Sequence, residues 1–370
     1  MVDNTTHSPN LDLLRSVAVA CVFVFHLRRS FGSERLWGAD LSALGLAGVL
    51  LFFVHTSLVL MLSIERTAAV PGPVARPFYI RRLFRVYPLS VVCVLAAIVL
   101  NQPSAPWLPY APVTFMQAAA NLLLVQNVTA HASILGPLWS LPYEVQMYLL
   151  LPLAYALVVR RFGLMTVASV VAASVLVPVA EMRITGNAHL FHYAPCFTGG
   201  ILAFWLLRSK HPQVAAWLWP AAIAMSVALF CTVDRGRMGD RRLTAVLEWS
   251  FCILFGLLVP CFSEIRSLAV HRVSQTIAKY SYGIYLTHSF AMWIAFVRLG
   301  AYPLVVRWAA FVLLAVAAPV AAYHGLEEPL IRIGHKVAGR LSRSYPQTNL
   351  SLSVSRAAVR ARGESLRVQT

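Results

Sequence analysis

The chain has 370 residues, of which 59% are hydrophobic and 12% charged, and its mean hydropathy is +0.69. No soluble core of this size hides that much apolar surface, so composition excludes an ordinary globular domain and points to lipid as the solvent. The formal net charge of +17 sits in short loops and at the C-terminal end, as the positive-inside rule expects, so no nucleic-acid partner is predicted and surplus arginines become candidates for phosphate binding.

The first apolar run, LDLLRSVAVACVFVFHLRRS at 11–30, predicts a helix over 13–30. It has no basic n-region and no small-residue cleavage site, so it reads as a retained helix rather than a cleaved signal. Arg15 and His26 lie inside it, where a charge and an imidazole are costly. They are eleven residues apart, which returns a helix to within about 20° of the same face and separates them by about 16 Å. One molecule lying along that stripe can touch both. Asp12, one turn before Arg15, can pair with it. The structural alternative is that Arg15 snorkels to the headgroups and His26 bonds a neighbouring helix.

Further windows near 41–63, 87–101, 139–159, 163–181, 189–207, 213–232, 243–262, 276–298 and 303–323 bring the predicted spans to ten. The stretch 115–128, FMQAAANLLLVQNV, carries Gln117, Asn121, Gln126 and Asn127 and reads as re-entrant or interfacial. If it does not cross, the loop arginines Arg66, Arg76, Arg81, Arg82 and Arg85 of 64–86 share one side with Arg160–Arg161, Arg208–Lys210, Arg266, Arg272 and the C-terminal arginines. That side is read as the cytoplasm, together with both termini. The basic loop 233–242, VDRGRMGDRR, runs against the rule. The predicted fold is therefore an all-α integral membrane protein with about ten spans and no soluble domain. Residues 1–335 form the membrane domain; 336–370 are a basic tail expected to be disordered and to touch anionic headgroups. Cys21, Cys93, Cys196, Cys231, Cys252 and Cys261 lie in or beside apolar runs without a CxxC pair, so neither a metal site nor a disulfide framework is predicted.

Four later stretches carry polar residues that call for a reason. In FYIRRLFRVYPL, 78–89, Arg82 and Arg85 are i, i+3 neighbours, a spacing that can clamp phosphate and that the positive-inside rule alone does not require. In GPLWSLPYEVQMYLLLP, 136–152, Glu144 opens a long apolar helix behind Trp139 and Tyr143; belt aromatics and a dipole-favoured carboxylate are the bland account. In SYGIYLTHSF, 281–290, Ser281, Tyr285 and His288 fall on one helical face, either as a site or as structural hydrogen bonds. In EEPLIR, 327–332, Pro329 is expected to end the last helix, with Glu327 and Glu328 answering the arginines.

Taken in order, these pieces resemble the acyltransferase 3 family, bacterial multi-span enzymes that O-acylate lipopolysaccharide, exopolysaccharide, Nod factors and some macrolides. Arg15 to His26 matches the family's Arg-x10-His helix, Arg82 and Arg85 its RxxR motif, Trp139, Ser140, Leu141 and Glu144 its WSLxxE start. Ser281, Tyr282, Tyr285, Leu286 and His288 match SYxxYLxH, and Glu327 to Pro329 match the terminal E-x-P; the resemblance covers about 10–335. The second helix departs from the usual FF-x-x-SG: it reads FFVHTSLVL, with Thr56 and Ser57 in place of Ser-Gly and His55 beside them. No hydrolase-like domain of the kind that some relatives carry is expected within these residues. The resemblance implies acyl-CoA, expected to be acetyl-CoA, as donor substrate, with no permanently bound cofactor. It implies Arg82 and Arg85 on the CoA phosphates and Arg15 at the channel mouth. His26, as neutral imidazole, is the general base or a transient acyl carrier, with Glu144 and His288 assisting. Trp139, Tyr143, Tyr285 and Ser281 are the candidate substrate-binding residues, and the acceptor is a hydroxyl of a cell-envelope or secreted glycan. The bacterial inner membrane is the expected location. The rival from another class is a proton-coupled transporter or flippase, which also uses intramembrane His, Arg and Glu, though no repeat symmetry is visible.

Overall fold

The computed structural model describes residues 8–32, 35–36, 39–68, 74–160, 163–185, 190–209, 212–235 and 241–343. Its helices are α1 (Pro9–Ser30), α2 (Leu44–Ala68), α3 (Ala75–Val99), α4 (Phe115–Leu122), α5 (Leu141–Arg160), α6 (Leu164–Thr185), α7 (Ala194–Leu206), α8 (Trp219–Arg235), α9 (Arg241–Leu258), α10 (Leu268–Trp293), α11 (Leu304–Ala322) and α12 (Glu328–Arg343). One antiparallel pair of two-residue strands, β1 (Arg35–Leu36) and β2 (Ala39–Asp40), follows α1. Each of the ten predicted windows holds a helix. Among the described residues, eight stretches are long and apolar enough to cross a membrane; α7, with 13 residues, is too short, and α10 is too rich in polar side chains.

The apolar side chains are distributed inside out. Leu164, Met165, Leu176 and Ile184 on α6 and Val305, Val312, Leu313 and Val316 on α11 are exposed, while Ser57, Asn121, Ser281, His288 and Glu327 are buried. Water does not tolerate such an outer face, and lipid does.

Two expectations need correction. Arg81, Arg82 and Arg85 do not lie in a loop: α2 runs on to Ala68 and α3 already begins at Ala75. Hydropathy windows miss this because arginine is a good helix former that is not apolar. Nor does Pro329 end the last helix. A π-helical turn, Tyr323–Glu327, joins α11 to α12 without a break, and Pro329 sits directly after it in the first turn of α12. Residues 336–343 of the expected tail are thus helical; the rest of the tail, Lys210, Arg161 and the centre of the 233–242 loop lie outside the described residues.

The site-bearing helices are held at their start. Ser8 caps α1 by accepting from Leu11 N–H (3.3 Å) and donates to Glu264 (2.6 Å). Asn10 accepts from Ile265 N–H (3.1 Å) and donates to the Ser263 carbonyl (3.0 Å). These bonds tie α1 to the segment entering α10, and α1 packs along both α10 and α2. The glycine missing from α2 is supplied across the interface: Gly200 of α7 lies against Ser57 and the backbone of Val54 and Leu58, with no space for a Cβ.

Candidate functional site

The polar stripe of α1 faces the polar stripe of α10. Arg15 donates through Nε to Ser281 Oγ at 2.6 Å. Farther along, His26 meets His288 with ring centroids 4.8 Å apart at 60°. Each imidazole approaches the carbonyl one turn back, His26 Nδ1 that of Val22 at 2.9 Å and His288 Nδ1 that of Ile284 at 3.0 Å. A carbonyl only accepts, so both Nδ1 atoms carry the proton and, in neutral rings, both Nε2 atoms present a lone pair. His288 Nε2 is buried without a hydrogen-bond partner among the described residues. Trp107 stacks on His26 at 5.8 Å, and the Arg29 guanidinium lies 5.5 Å from the indole.

Around Arg15 the sequence-predicted charges gather in one cluster. Arg85 pairs with Glu327 at 2.9 Å, and Glu327 is 2% exposed. Tyr148 donates to Glu144. Glu144 lies within the electrostatic reach of Arg15, Arg82 and Arg85. Three arginines thus face two carboxylates, one cation in excess. Arg82 Nε is buried without a partner among the described residues. The Arg85 guanidinium also lies over the Tyr282 ring, whose hydroxyl donates to the Val86 carbonyl at 2.6 Å.

The WSLxxE turn splits in two. Ser140 and Glu144, i and i+4, line a narrow cavity with Arg15, Thr56, Ser281 and Tyr285. Trp139 and Tyr143, also i and i+4, occupy the neighbouring face and pack on Tyr193, the residue that precedes α7, at 5.5 and 4.8 Å. Of the four candidate substrate-binding residues, Ser281 and Tyr285 line the narrow cavity while Trp139 and Tyr143 face Tyr193; the helical period separates Trp139 and Tyr143 from Ser140 and Glu144. Ser140 Oγ lies 2.7 Å from the Tyr285 hydroxyl, which donates to the Pro137 carbonyl at 2.9 Å.

Two cavities meet at Arg15. The narrow one is about 60 Å³. The larger, about 670 Å³, is lined by Asp12, Arg15, His55, Arg66, Arg85 and Lys279 among others. His55, Arg66 and Lys279 carried no sequence expectation as site residues. The two histidines of the pair line neither cavity; Tyr285, in the wall of the narrow one, is 6.3 Å from His288 by ring centroids.

A family profile described as an acyltransferase domain matches residues 8–324. The chain is similar to a protein named acyltransferase MdmB from Streptomyces mycarofaciens, with 31% identity over 193 residues, 49% of this chain and 48% of that protein. The match thus spans about half the length of this relative. No solved structure matches.

Proposed function

The chain belongs to the acyltransferase 3 family, and on that premise we propose that it is an O-acyltransferase moving an acyl group from acyl-CoA to a hydroxyl of a cell-envelope or secreted glycan. The observation that carries the reading is the facing of two polar stripes: Arg15 on Ser281 beside a large cationic cavity, and His26 on His288 farther along the same helices. In this reading ten helices span the bacterial inner membrane with α4 as an interfacial piece, the arginine-rich end is cytoplasmic, and CoA enters there.

The chemistry balances on the histidine pair. His26 Nε2 takes the proton of the acceptor hydroxyl as its oxygen attacks the thioester carbonyl. The new C–O ester bond forms, the C–S bond breaks, and the imidazolium returns the proton to the CoA thiolate. His288 places a second lone pair beside the first. The narrow cavity has room for a group of a few heavy atoms, which supports acetyl over a long acyl chain.

The test is transfer of labelled acetyl from acetyl-CoA in membranes carrying wild type or His26→Ala. Label in envelope glycan with wild type and its loss in the variant at equal expression is the expected result. A variant that keeps full activity removes the role given to His26. A wild type that consumes no acetyl-CoA in the presence of envelope material removes the donor.

A further inference from the structure

The larger cavity is cationic, and most of its cations lie outside the RxxR motif. Of the motif arginines only Arg85 reaches the lining, and its charge is answered by Glu327 at 2.9 Å. Arg81 donates to Thr67 at 2.7 Å. The lining charges left for a ligand are Arg15, Arg66 of α2 and Lys279 of α10, against the single carboxylate of Asp12. Arg66 and Lys279 are exposed, and neither has a carboxylate partner among the described residues. Lys279 Nζ rests 4.7 Å from the centre of the Tyr323 ring, also in the lining.

The wall contributed by α2 is a single helical face. His55, Val59, Leu62 and Arg66 fall at i, i+4, i+7 and i+11, so the imidazole and the guanidinium lie about 16 Å apart along the axis. The spacing repeats that of Arg15 and His26 on α1, and the sequence expectations passed it by. His55 is the deep end, 5% exposed. Unlike His26 and His288 it does not bond the carbonyl one turn back, and it makes no hydrogen bond among the described residues. A buried imidazole with neither nitrogen used, in the wall of a cavity, awaits a polar group from a ligand.

We propose that this α2 face and Lys279 form the carrier-binding wall of the donor site: Arg66 and Lys279 hold the phosphates of CoA at the mouth, and His55 hydrogen-bonds an amide of the pantetheine arm as it runs inward to Arg15. The proposal rests on the acyl-CoA reading above and changes which residues carry it. Exposed cations at the mouth give a salt-sensitive share of the affinity; His55, desolvated at the deep end, gives a share that salt does not touch.

The test is equilibrium binding of radiolabelled CoA and 3′-dephospho-CoA to the full chain in lipid nanodiscs, at low and high salt. Arg66→Gln with Lys279→Gln weakens CoA binding about tenfold or more and flattens its salt dependence, as loss of two charge-assisted contacts requires. The loss is smaller for 3′-dephospho-CoA. His55→Leu weakens both ligands by about the same factor and leaves the salt slope intact; His55→Gln, which can still hydrogen-bond, recovers part of the loss and guards against a folding defect, with the unfolding temperature read for every variant. Variants that bind CoA as wild type does overturn the assignment while the family reading stands. A wild type that neither binds CoA nor transfers acetyl from it overturns the donor reading and this assignment with it.

Discussion

His26 and His288 face each other with ring centroids 4.8 Å apart, and each commits its Nδ1 to the helix carbonyl one turn behind it. The two tethers have one consequence: they fix both tautomers, so two lone pairs are presented side by side, on a buried His288 and a half-buried His26. A structural histidine contact normally has one ring donating to the other or to a carboxylate. Here neither ring carries a free N–H for its neighbour, and His288 Nε2 is left unpartnered. The arrangement suits a hydroxyl proton arriving from a substrate.

His26→Ala is expected to lower acyl transfer by about 10²–10⁴-fold, the range of a general base. His288→Ala should also lose activity, and the double variant should be no worse than the weaker single one, because residues acting as a unit are not additive. Initial rates of acetyl transfer at saturating donor check this. Full additivity would show that the two rings act in separate steps.

Glu327→Ala is expected to destabilise the protein, because it leaves Arg85 beside a buried site without its carboxylate. Breaking a buried pair costs about 3–5 kcal/mol; with Arg85 still one-fifth exposed, about 2 kcal/mol is the reasonable figure here. Arg85→Met with Glu327→Met should recover most of the unfolding temperature, since an apolar pair replaces an ionic one. It should not recover activity if the cluster's charge serves the reaction. Unfolding in detergent and transfer assays on the same preparations separate the two.

Much of the fold was legible because long apolar runs have one physical outcome, and the Arg15–His26 stripe was legible because a helix has one period. What the stripe faces was not. Ser281 and His288 lie more than 260 residues away from their partners in the sequence, and no local pattern encodes which helices become neighbours. Arg85 and Glu327 were each flagged, yet their pairing across 242 residues was not. His55, Arg66 and Lys279 were not read as site residues because the cavity that unites them exists only once α1, α2 and α10 pack together. The misplaced start of α3 has a simpler cause: hydropathy marks where lipid begins, whereas helix formation depends on propensity, and an arginine-rich stretch scores low on the first and high on the second. The split of Trp139 and Tyr143 from Ser140 and Glu144 needed only the i, i+4 rule.

Gly200→Ala is expected to lower stability by about 1–3 kcal/mol, the usual cost of overpacking a close interface. The new Cβ meets Ser57 Oγ, the Val54 carbonyl and Leu58 N on α2. Ser57→Gly in the same chain should restore only part of the loss, because two of the three contacts are backbone. Unfolding temperatures of the single and double variants check the order, and a full rescue would mean that only the Ser57 hydroxyl limits the approach.

Tyr285→Phe tests whether the tyrosine holds the site or holds the substrate. Its hydroxyl donates to the Pro137 carbonyl and sits 2.7 Å from Ser140 Oγ. Both partners belong to the 3₁₀ turn Gly136–Ser140, which leads directly into α5 and Glu144. Without the phenol, two buried groups lose a partner, at about 1–3 kcal/mol each, and the turn that aims Glu144 loses its anchor to α10. The expected result is a fall in kcat with the KM for donor unchanged. Ser140→Ala should cost less, since Tyr285 keeps its bond to Pro137. If Tyr285 instead binds the acceptor, Tyr285→Phe raises the acceptor KM, Ser140→Ala does not, and kcat stays near that of the wild type.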